Sequence, residues 1–260
     1  MIKEASVPIK TNIFMTLTIR VLFLLTLAIL SACANIKTVK IPQEYGGAES
    51  KIAIAPVEIE GIYVASTSGW GMLFGVVGGA VGGAVGAVVE EAVTRPKREA
   101  QAQTIKESWG DWRPEAVLRD KLAEELTKRG RKVIQESEIV PLPESIRGKN
   151  DAAGLWYNPD STIFDHSTIM NRYSPTAVME AGFGEPGIIG HRVLTVILIK
   201  VVDPRTNNVV ARRRVVARMK TGKYNLKDPI QRQQYIADFK NSFDNAVAEA
   251  VPKMLDDIGF

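Results

Sequence analysis

The chain has 260 residues, of which 45% are hydrophobic and 24% charged, and its formal net charge at pH 7 is +4. This composition is ordinary for a globular protein, and the length suits one sizeable domain with an appendage. The small net charge, without a cluster of basic and aromatic residues, gives no support for nucleic acid as a partner, and we expect none. One cysteine and two histidines argue against a structural zinc site. We therefore expect neither a metal nor a cofactor.

The N-terminal region carries the pattern of a secretory signal. Residues 21–32 form an uncharged apolar run that follows Arg20 and ends in small residues before Cys33. The run is too short to span a bilayer, as is typical of a signal peptide. We predict a signal peptide over 1–32, with either Met1 or Met15 as the start. An ordinary signal peptide followed by a free thiol is the alternative.

The tetrad Leu30-Ser31-Ala32-Cys33 resembles the bacterial lipobox. That resemblance implies that the chain is cut before Cys33 and that the cysteine is acylated with palmitate, which anchors the protein to a membrane. Two or more acyl chains give stable anchoring. Because Ala34 rather than an aspartate follows, the resemblance also implies an outer-membrane location, with the protein on the periplasmic face. Residues 33–50 are then a linker, and 51–260 a periplasmic domain.

An uncharged stretch over 70–89 contains two rows of glycine at four-residue spacing. As a helix it would be about 30 Å long, and such rows let helix backbones approach closely. Trp70 would suit an interfacial anchor. We predict that the insertion 69–93, which resembles glycine-zipper segments of envelope proteins, enters a membrane or mediates self-association. A flexible loop, or a helix packed on its own domain, is the alternative. The rows comprise Gly71, Gly75, Gly79 and Gly83, and Gly78, Gly82 and Gly86.

The first half of the remaining chain alternates strand and helix patterns. Residues 51–59 predict a strand because their apolar positions alternate. A helix should begin at Pro114 and end at Gly130, with an apolar stripe on one face. A short strand then begins at Val133, and a proline-rich loop covers 141–158. A further helix, capped by Asp160 or Ser161, is expected to carry Ile163, Ile169 and Met170.

The second half predicts three strands and a long final helix. The strands are expected over 176–183, 192–202 and 209–220, with a turn over 203–208 between the last two. The helix begins after Pro229 and keeps its apolar residues toward one face. This order predicts an α/β fold with a single mixed sheet and helices packed on it. The glycine-rich apolar helix is inserted after the first strand.

The opening Ile52-Ala53-Ile54-Ala55-Pro56-Val57 and the element order are similar to a group of envelope lipoproteins. The group includes the curli secretion channel lipoprotein CsgG, the penicillin-binding-protein activator LpoB and the TolB amino-terminal domain. The resemblance covers roughly 51–255 without the insertion. It implies a role in the cell envelope, but the inserted helix departs from the β-hairpin pore of the curli channel.

Two motifs look chemical without the context that chemistry needs. The run 182–187 matches the dinucleotide fingerprint, but Pro186 and the strand after it leave no helix N-terminus for a pyrophosphate. We predict a turn between strands there. Asp165, His166 and Ser167 are triad residue types, yet neighbours on a helix do not face one another. His166 is therefore expected on a helix surface.

Two sets of residues are candidates for contact with a partner. Trp109, Trp112, Trp156 and Tyr157 are predicted to lie in loops, where they are interface anchors or lids over a small core. Arg212, Arg214 and Arg218 share one face of a strand. That face is either solvated or meets anionic lipid headgroups or an acidic partner.

These patterns predict a non-enzymatic outer-membrane lipoprotein that self-assembles or docks envelope machinery for secretion or envelope assembly. Its partners would be the membrane, through acylated Cys33, and a second copy or an envelope protein. The glycine segment would mediate oligomerisation or membrane insertion. The alternative is a monomeric periplasmic adaptor that regulates an envelope enzyme. A hydrolase is the third and weakest hypothesis.

Overall fold

The computed structural model describes residues 40–58, 63–65, 103, 106–147, 149, 152–189, 192–220, 222, 224–225 and 228–260. These residues belong to one compact unit, Thr38–Phe260. The predictions on Cys33, on Trp70 and on the glycine rows lie outside the described residues. The inserted glycine helix and the division into signal, linker and domain therefore stay predictions.

The described chain alternates helices and strands before it ends in three strands and a helix. The helices are α1 (Gln43–Gly46), α2 (Pro114–Lys128), α3 (Ala152–Tyr157), α4 (Ser167–Tyr173) and α5 (Pro229–Ile258). The strands are β1 (Lys51–Pro56), β2 (Tyr63–Ala65), β3 (Lys132–Gln135), β4 (Ala177–Ile189), β5 (Arg192–Asp203) and β6 (Asn208–Lys220).

All six strands join one mixed sheet. Five of them lie side by side in the order β3-β1-β4-β5-β6, and β2 pairs with β4. The strand β1 runs parallel to both β3 and β4, whereas β4, β5 and β6 are antiparallel. Where β1 ends, β2 takes its place beside β4 and pairs with residues 187–189. The predicted fold class, a single mixed sheet with helices packed on it, is confirmed.

Helices α2 and α5 cover one face of the sheet, as their apolar stripes predict. In α2, Leu118, Leu122 and Leu126 are fully buried, and Gly130 follows with a φ of +76° that ends the helix readily. In α5, the Asp228 side chain accepts hydrogen bonds from the first free amides. The buried residues of α5 are Tyr235, Ile236, Phe239, Phe243, Val247, Ala250, Val251, Met254, Leu255 and Ile258.

The opposite face is covered by residues 140–147 and 152–173, here called the cover, and the sequence predictions for it were partly wrong. The expected loop over 141–158 contains α3, and the helix expected to begin at Asp160 or Ser161 begins at Ser167. The cause is pairing with β6: the Val209 amide donates to the Asp160 carbonyl at 2.8 Å, and Ser161 forms a bridge with Asn208. This pairing holds the chain extended, so Ile163 precedes α4.

Strand β4 is longer than predicted, because the glycine-rich run 182–187 continues the strand instead of turning. The predicted turn is wrong. Gly182 lies directly under the Trp156 ring, where an added Cβ would be 3.1 Å from the ring and 3.2 Å from the Val57 Cβ. An added Cβ on Gly184 would be 3.1 Å from the Val196 Cβ. Both glycines therefore permit close packing of neighbouring side chains.

We expect Gly182→Val to lower the free energy of unfolding by about 1–3 kcal/mol, because the new side chain would collide with the Trp156 ring. Chemical denaturation measures this loss. The control Val216→Thr, at a residue that is 40% exposed, should stay within about 0.5 kcal/mol of the wild type. Equal stabilities for the glycine variant and the wild type would contradict the packing role of Gly182.

Candidate functional site

A cluster of polar side chains surrounds the carboxylate of Glu180 on the sheet face opposite α2 and α5. The Trp156 Nε1 donates to Glu180 Oε2 at 2.8 Å, and the Thr162 hydroxyl donates to Oε1. The His166 Nε2 lies 2.8 Å from Oε1, and the Lys200 Nζ lies 3.4 Å from Oε2. Both carboxylate oxygens are thus shared between donors from four residues.

The sheet register and the covering segment together assemble this cluster. Glu180 and Lys200 are direct partners across β4 and β5, so their side chains leave the same face of the sheet. Trp156 lies on α3, and its carbonyl accepts a 2.9 Å hydrogen bond from the Lys200 Nζ. Thr162 and His166 follow in the chain before α4. The cluster therefore connects the cover to the two central strands of the sheet.

The electrostatics of the cluster favour an ionised Glu180. Burial alone would raise the pKa of this carboxyl, but the hydrogen bond from His166 and the charge of Lys200 outweigh it and hold the pKa below its ordinary value. Burial lowers the pKa of Lys200, and the attraction of Glu180 opposes that effect only in part. The carboxylate is thus the stable anion of a buried pair.

Solvent does not reach this cluster. Glu180 and Lys200 are 0% exposed and His166 is 3% exposed. A substrate could not reach these groups while the cover is in place, so the arrangement acts as an internal fastening. The predicted helix-surface position of His166 is wrong, because its ring turns inward to the Glu180 carboxylate instead of facing solvent.

The two aromatic pairs belong to the interior. Trp156 and Tyr157 are 1% and 2% exposed, so their burial favours the core alternative over the interface alternative. Both lie on α3 rather than in a loop. Trp109 is buried and stacks on Phe239, with ring centroids 6.0 Å apart. Trp112 packs against α5, the helix that carries Phe239.

An open groove of about 510 Å³ lies between Ser108 and the first turns of α5.

The arginine row of β6 divides into two parts. Arg212 is held by its own chain: it donates to the Asn158 carbonyl at 2.5 Å and pairs with Asp160. Arg214 and Arg218 make no ion pair with any residue that the structure describes. Val216, which lies between them on the same face, is 40% exposed. Only the far part of the predicted row is therefore available to a partner.

Glu180 and Lys200 were not among the site residues predicted from the sequence. Each is a charge inside an otherwise apolar strand, in the runs 177–183 and 196–202. A charge at such a position requires a buried partner, which was a usable signal. Their pairing depends on the register of β4 with β5, which a single sequence does not specify.

Two further features bear on possible sites. No described helix is both long and apolar enough to cross a membrane. Within the described ranges, histidine, cysteine, aspartate and glutamate form no group of three or more that could hold a metal ion.

Comparison with known proteins gives similar structures but no family. No protein-family model matches the chain, and no curated protein matches it. Bacterial lipoproteins are among the similar solved structures. A PelC dodecamer from Paraburkholderia phytofirmans has 8% identity and a TM-score of 0.35, with 85% of this chain and 94% of that chain covered.

Two more structures extend this likeness. Lipoprotein GNA1162 from Neisseria meningitidis has 11% identity and a TM-score of 0.28, with 77% of this chain and 99% of that chain covered. The LpoB C-terminal domain from Salmonella enterica has 7% identity and a TM-score of 0.18, with 70% and 86% covered. Likeness at these scores supports no conclusion about what this chain binds or does.

We expect Glu180→Gln to destabilise the protein by about 3–5 kcal/mol, because it leaves Lys200 as a buried cation without its counter-ion. The double variant with Lys200→Met should recover part of this loss, since it removes both charges. Denaturant titration measures both. The exposed pair of Glu249 and Lys253 provides the matched control, and the same substitutions there should leave the midpoint unchanged.

We also expect acid to weaken the wild type more than the Glu180→Gln variant. The pKa of Glu180 is lower in the folded protein than its ordinary value of 4.5. Its stabilisation is therefore complete above 4.5 and is lost as the pH falls through the lower folded value. Denaturation midpoints measured from pH 7 to pH 3 test this, and parallel pH profiles for the two proteins would contradict it.

Proposed function

We propose that the chain is a non-enzymatic lipoprotein of the outer membrane that self-assembles or docks envelope machinery through its α/β domain. The observation that carries this proposal is the run Leu30-Ser31-Ala32-Cys33 immediately before the folded domain. The Ile41 amide donates to the Ile258 carbonyl at 2.7 Å, so Ile41 is part of the packed domain. Residues 34–40 span at most about 25 Å when extended, so an acylated Cys33 would hold the domain close to the lipid surface.

The closed Glu180 cluster supports a binding role over a catalytic one. Its ionisable groups are bonded to one another and shielded from solvent. By contrast, β6 presents Arg214 and Arg218 without ion pairs to described residues, beside the exposed side chain of Val216. The surface of the domain, rather than a reactive centre, is what this protein offers to a partner.

The glycine segment gives the proposal its second part. The structure places Ala65, the last residue of β2, beside Ile189 at the far end of β4. The segment that contains the glycine rows therefore follows the sheet at that end. We propose that it mediates oligomerisation or membrane insertion, because close backbone approach is what such rows permit.

Mass spectrometry of the mature protein tests the anchor. We expect the mature N-terminus to be an acylated Cys33, and we expect Cys33→Ser to release the protein from the membrane fraction or to stall its processing. Ser31→Ala, which keeps a small residue before the cysteine, is the control and should be processed as the wild type. An unmodified cysteine, or a cleavage site elsewhere, would overturn the proposal.

The mass of the detergent-solubilised protein tests assembly. We expect an oligomer, and we expect leucine at both Gly79 and Gly83 to lower its mass, because larger side chains block close helix contact. Leucine also raises intrinsic helix propensity by about 1 kcal/mol per site, so a segment that needed only to be helical would assemble more strongly. A monomeric wild type would instead favour the adaptor function.

A further inference from the structure

Strand β6 forms one edge of the sheet and is long for an edge strand. The strand order ends at β6, and no further strand of the described part pairs with its outer side. In the described part, its first residues are bonded outward through the bridge of Asn208 to Ser161 and the bond from the Val209 amide to Asp160, and at its far end the Lys220 carbonyl accepts a hydrogen bond from the Ser242 hydroxyl. The remaining edge is about 30 Å long at the usual rise of a strand. Such an edge is a template for an added strand.

The side chains of β6 are strongly basic. The strand carries Arg212, Arg213, Arg214, Arg218 and Lys220 and contains no acidic residue. Two of these cations are matched within the domain, because Arg212 pairs with Asp160 and the Arg213 Nη2 lies 2.6 Å from the Asp257 carboxylate. The others, Arg214, Arg218 and Lys220, make no ion pair with described residues.

These charges decide between two occupants of the edge. A second copy that paired β6 with β6 would bring arginines of the two strands close together, and like charges across a strand pair are destabilising. Charged side chains on an edge are a known device against such self-pairing. An extended acidic segment meets the same edge with opposite charges. The charge of β6 therefore disfavours pairing with its own copy and favours an acidic partner.

We propose that β6 is the docking edge of this domain and that its partner is an extended, acidic protein segment that adds to the sheet as a further strand. The inference rests on the proposed docking function and specifies the chemistry of the partner. Main-chain hydrogen bonds supply affinity, and side chains at alternate positions supply specificity. Acidic side chains at alternate positions of the partner would share one face, and two of them four residues apart would meet Arg214 and Arg218.

The test uses a labelled peptide of alternating glutamate and valine and the mature, lipidated protein in detergent at low salt. Fluorescence anisotropy should show saturable binding. The double variant Arg214→Glu with Arg218→Glu should bind at least tenfold more weakly. The matched control reverses two exposed lysines on the helices of the other face, Lys128→Glu with Lys253→Glu, and should change the affinity less than twofold.

A second peptide separates strand addition from simple attraction between charges. Proline in place of each valine keeps the charge but removes amide donors and disfavours pairing in a sheet. We expect its affinity to fall at least tenfold. Hydrogen exchange should also show slower amide exchange in β6 when the first peptide is bound. Equal binding of the two peptides, or no change in β6 exchange, would overturn the proposal.

Misfolded variants and binding to anionic lipid are the other possible outcomes, and each is tested. Circular dichroism checks the fold of each variant, and Arg214→Gln with Arg218→Gln replaces the charge reversal if that variant fails to fold. Vesicles of phosphatidylglycerol test the other anionic partner: binding to them through these arginines, with no binding to the peptide, would overturn the proposal. The mass spectrum of Cys33 and the oligomer mass are independent of the peptide, so failure of the docking edge is distinguishable from failure of the proposed function.

Discussion

The burial of the Glu180 carboxylate is the constraint on which one side of this domain depends. A carboxylate away from water is costly unless donors and a counter-charge replace its hydration. Here the replacements come from three places: Lys200 on the neighbouring strand, Trp156 on α3, and Thr162 and His166 in the segment after it. Because no single element supplies them all, the carboxylate is satisfied only when the cover is seated on the sheet.

The two faces of the sheet are consequently held by different forces. The face under α2 and α5 is packed almost entirely by apolar side chains such as Leu122, Phe243 and Val247. This contact is favourable in many arrangements, because the hydrophobic effect has no direction. The other face combines a smaller apolar cluster with the directional hydrogen bonds of Glu180. Directional bonds fix where α3 lies, and Gly182 provides the space that the Trp156 ring needs.

This difference explains which parts of the structure could be predicted. The helices α2 and α5 and the strands β5 and β6 follow from local periodicity and from end signals such as Pro114 and Gly130, and their predictions hold. The cover does not follow from such patterns. Helix α3 has too few residues to show a period, and the segment around Ser161 is extended only because β6 binds it. The local sequence pattern does not indicate that long-range contact.

The same limit applies to the candidate site. Strand alternation predicts the row of Arg212, Arg214 and Arg218. It does not predict that Arg212 forms an ion pair with Asp160, because that pair depends on where the cover contacts β6. The buried pair of Glu180 and Lys200 required the register of β4 with β5. The glycine run at 182–187 is the opposite case. Its spacing matches the dinucleotide fingerprint, but Gly182 and Gly184 make room for the side chains of Trp156 and Val196. The spacing of the glycines does not by itself distinguish a dinucleotide-binding motif from glycines that permit close packing.

The layout of the sheet relates the point where the chain enters the domain to the open edge. Ile41 and Tyr45 pack at the end of the sheet where β5 finishes, as the bond from the Tyr45 hydroxyl to Asp203 shows. Strand β6 starts at that end and runs to the opposite one, so Arg214 and Arg218 lie progressively farther from the point where the chain enters the domain. The free part of the edge therefore lies beyond the bridge of Asn208 to Ser161, toward the end of the sheet where β2 pairs with residues 187–189 of β4.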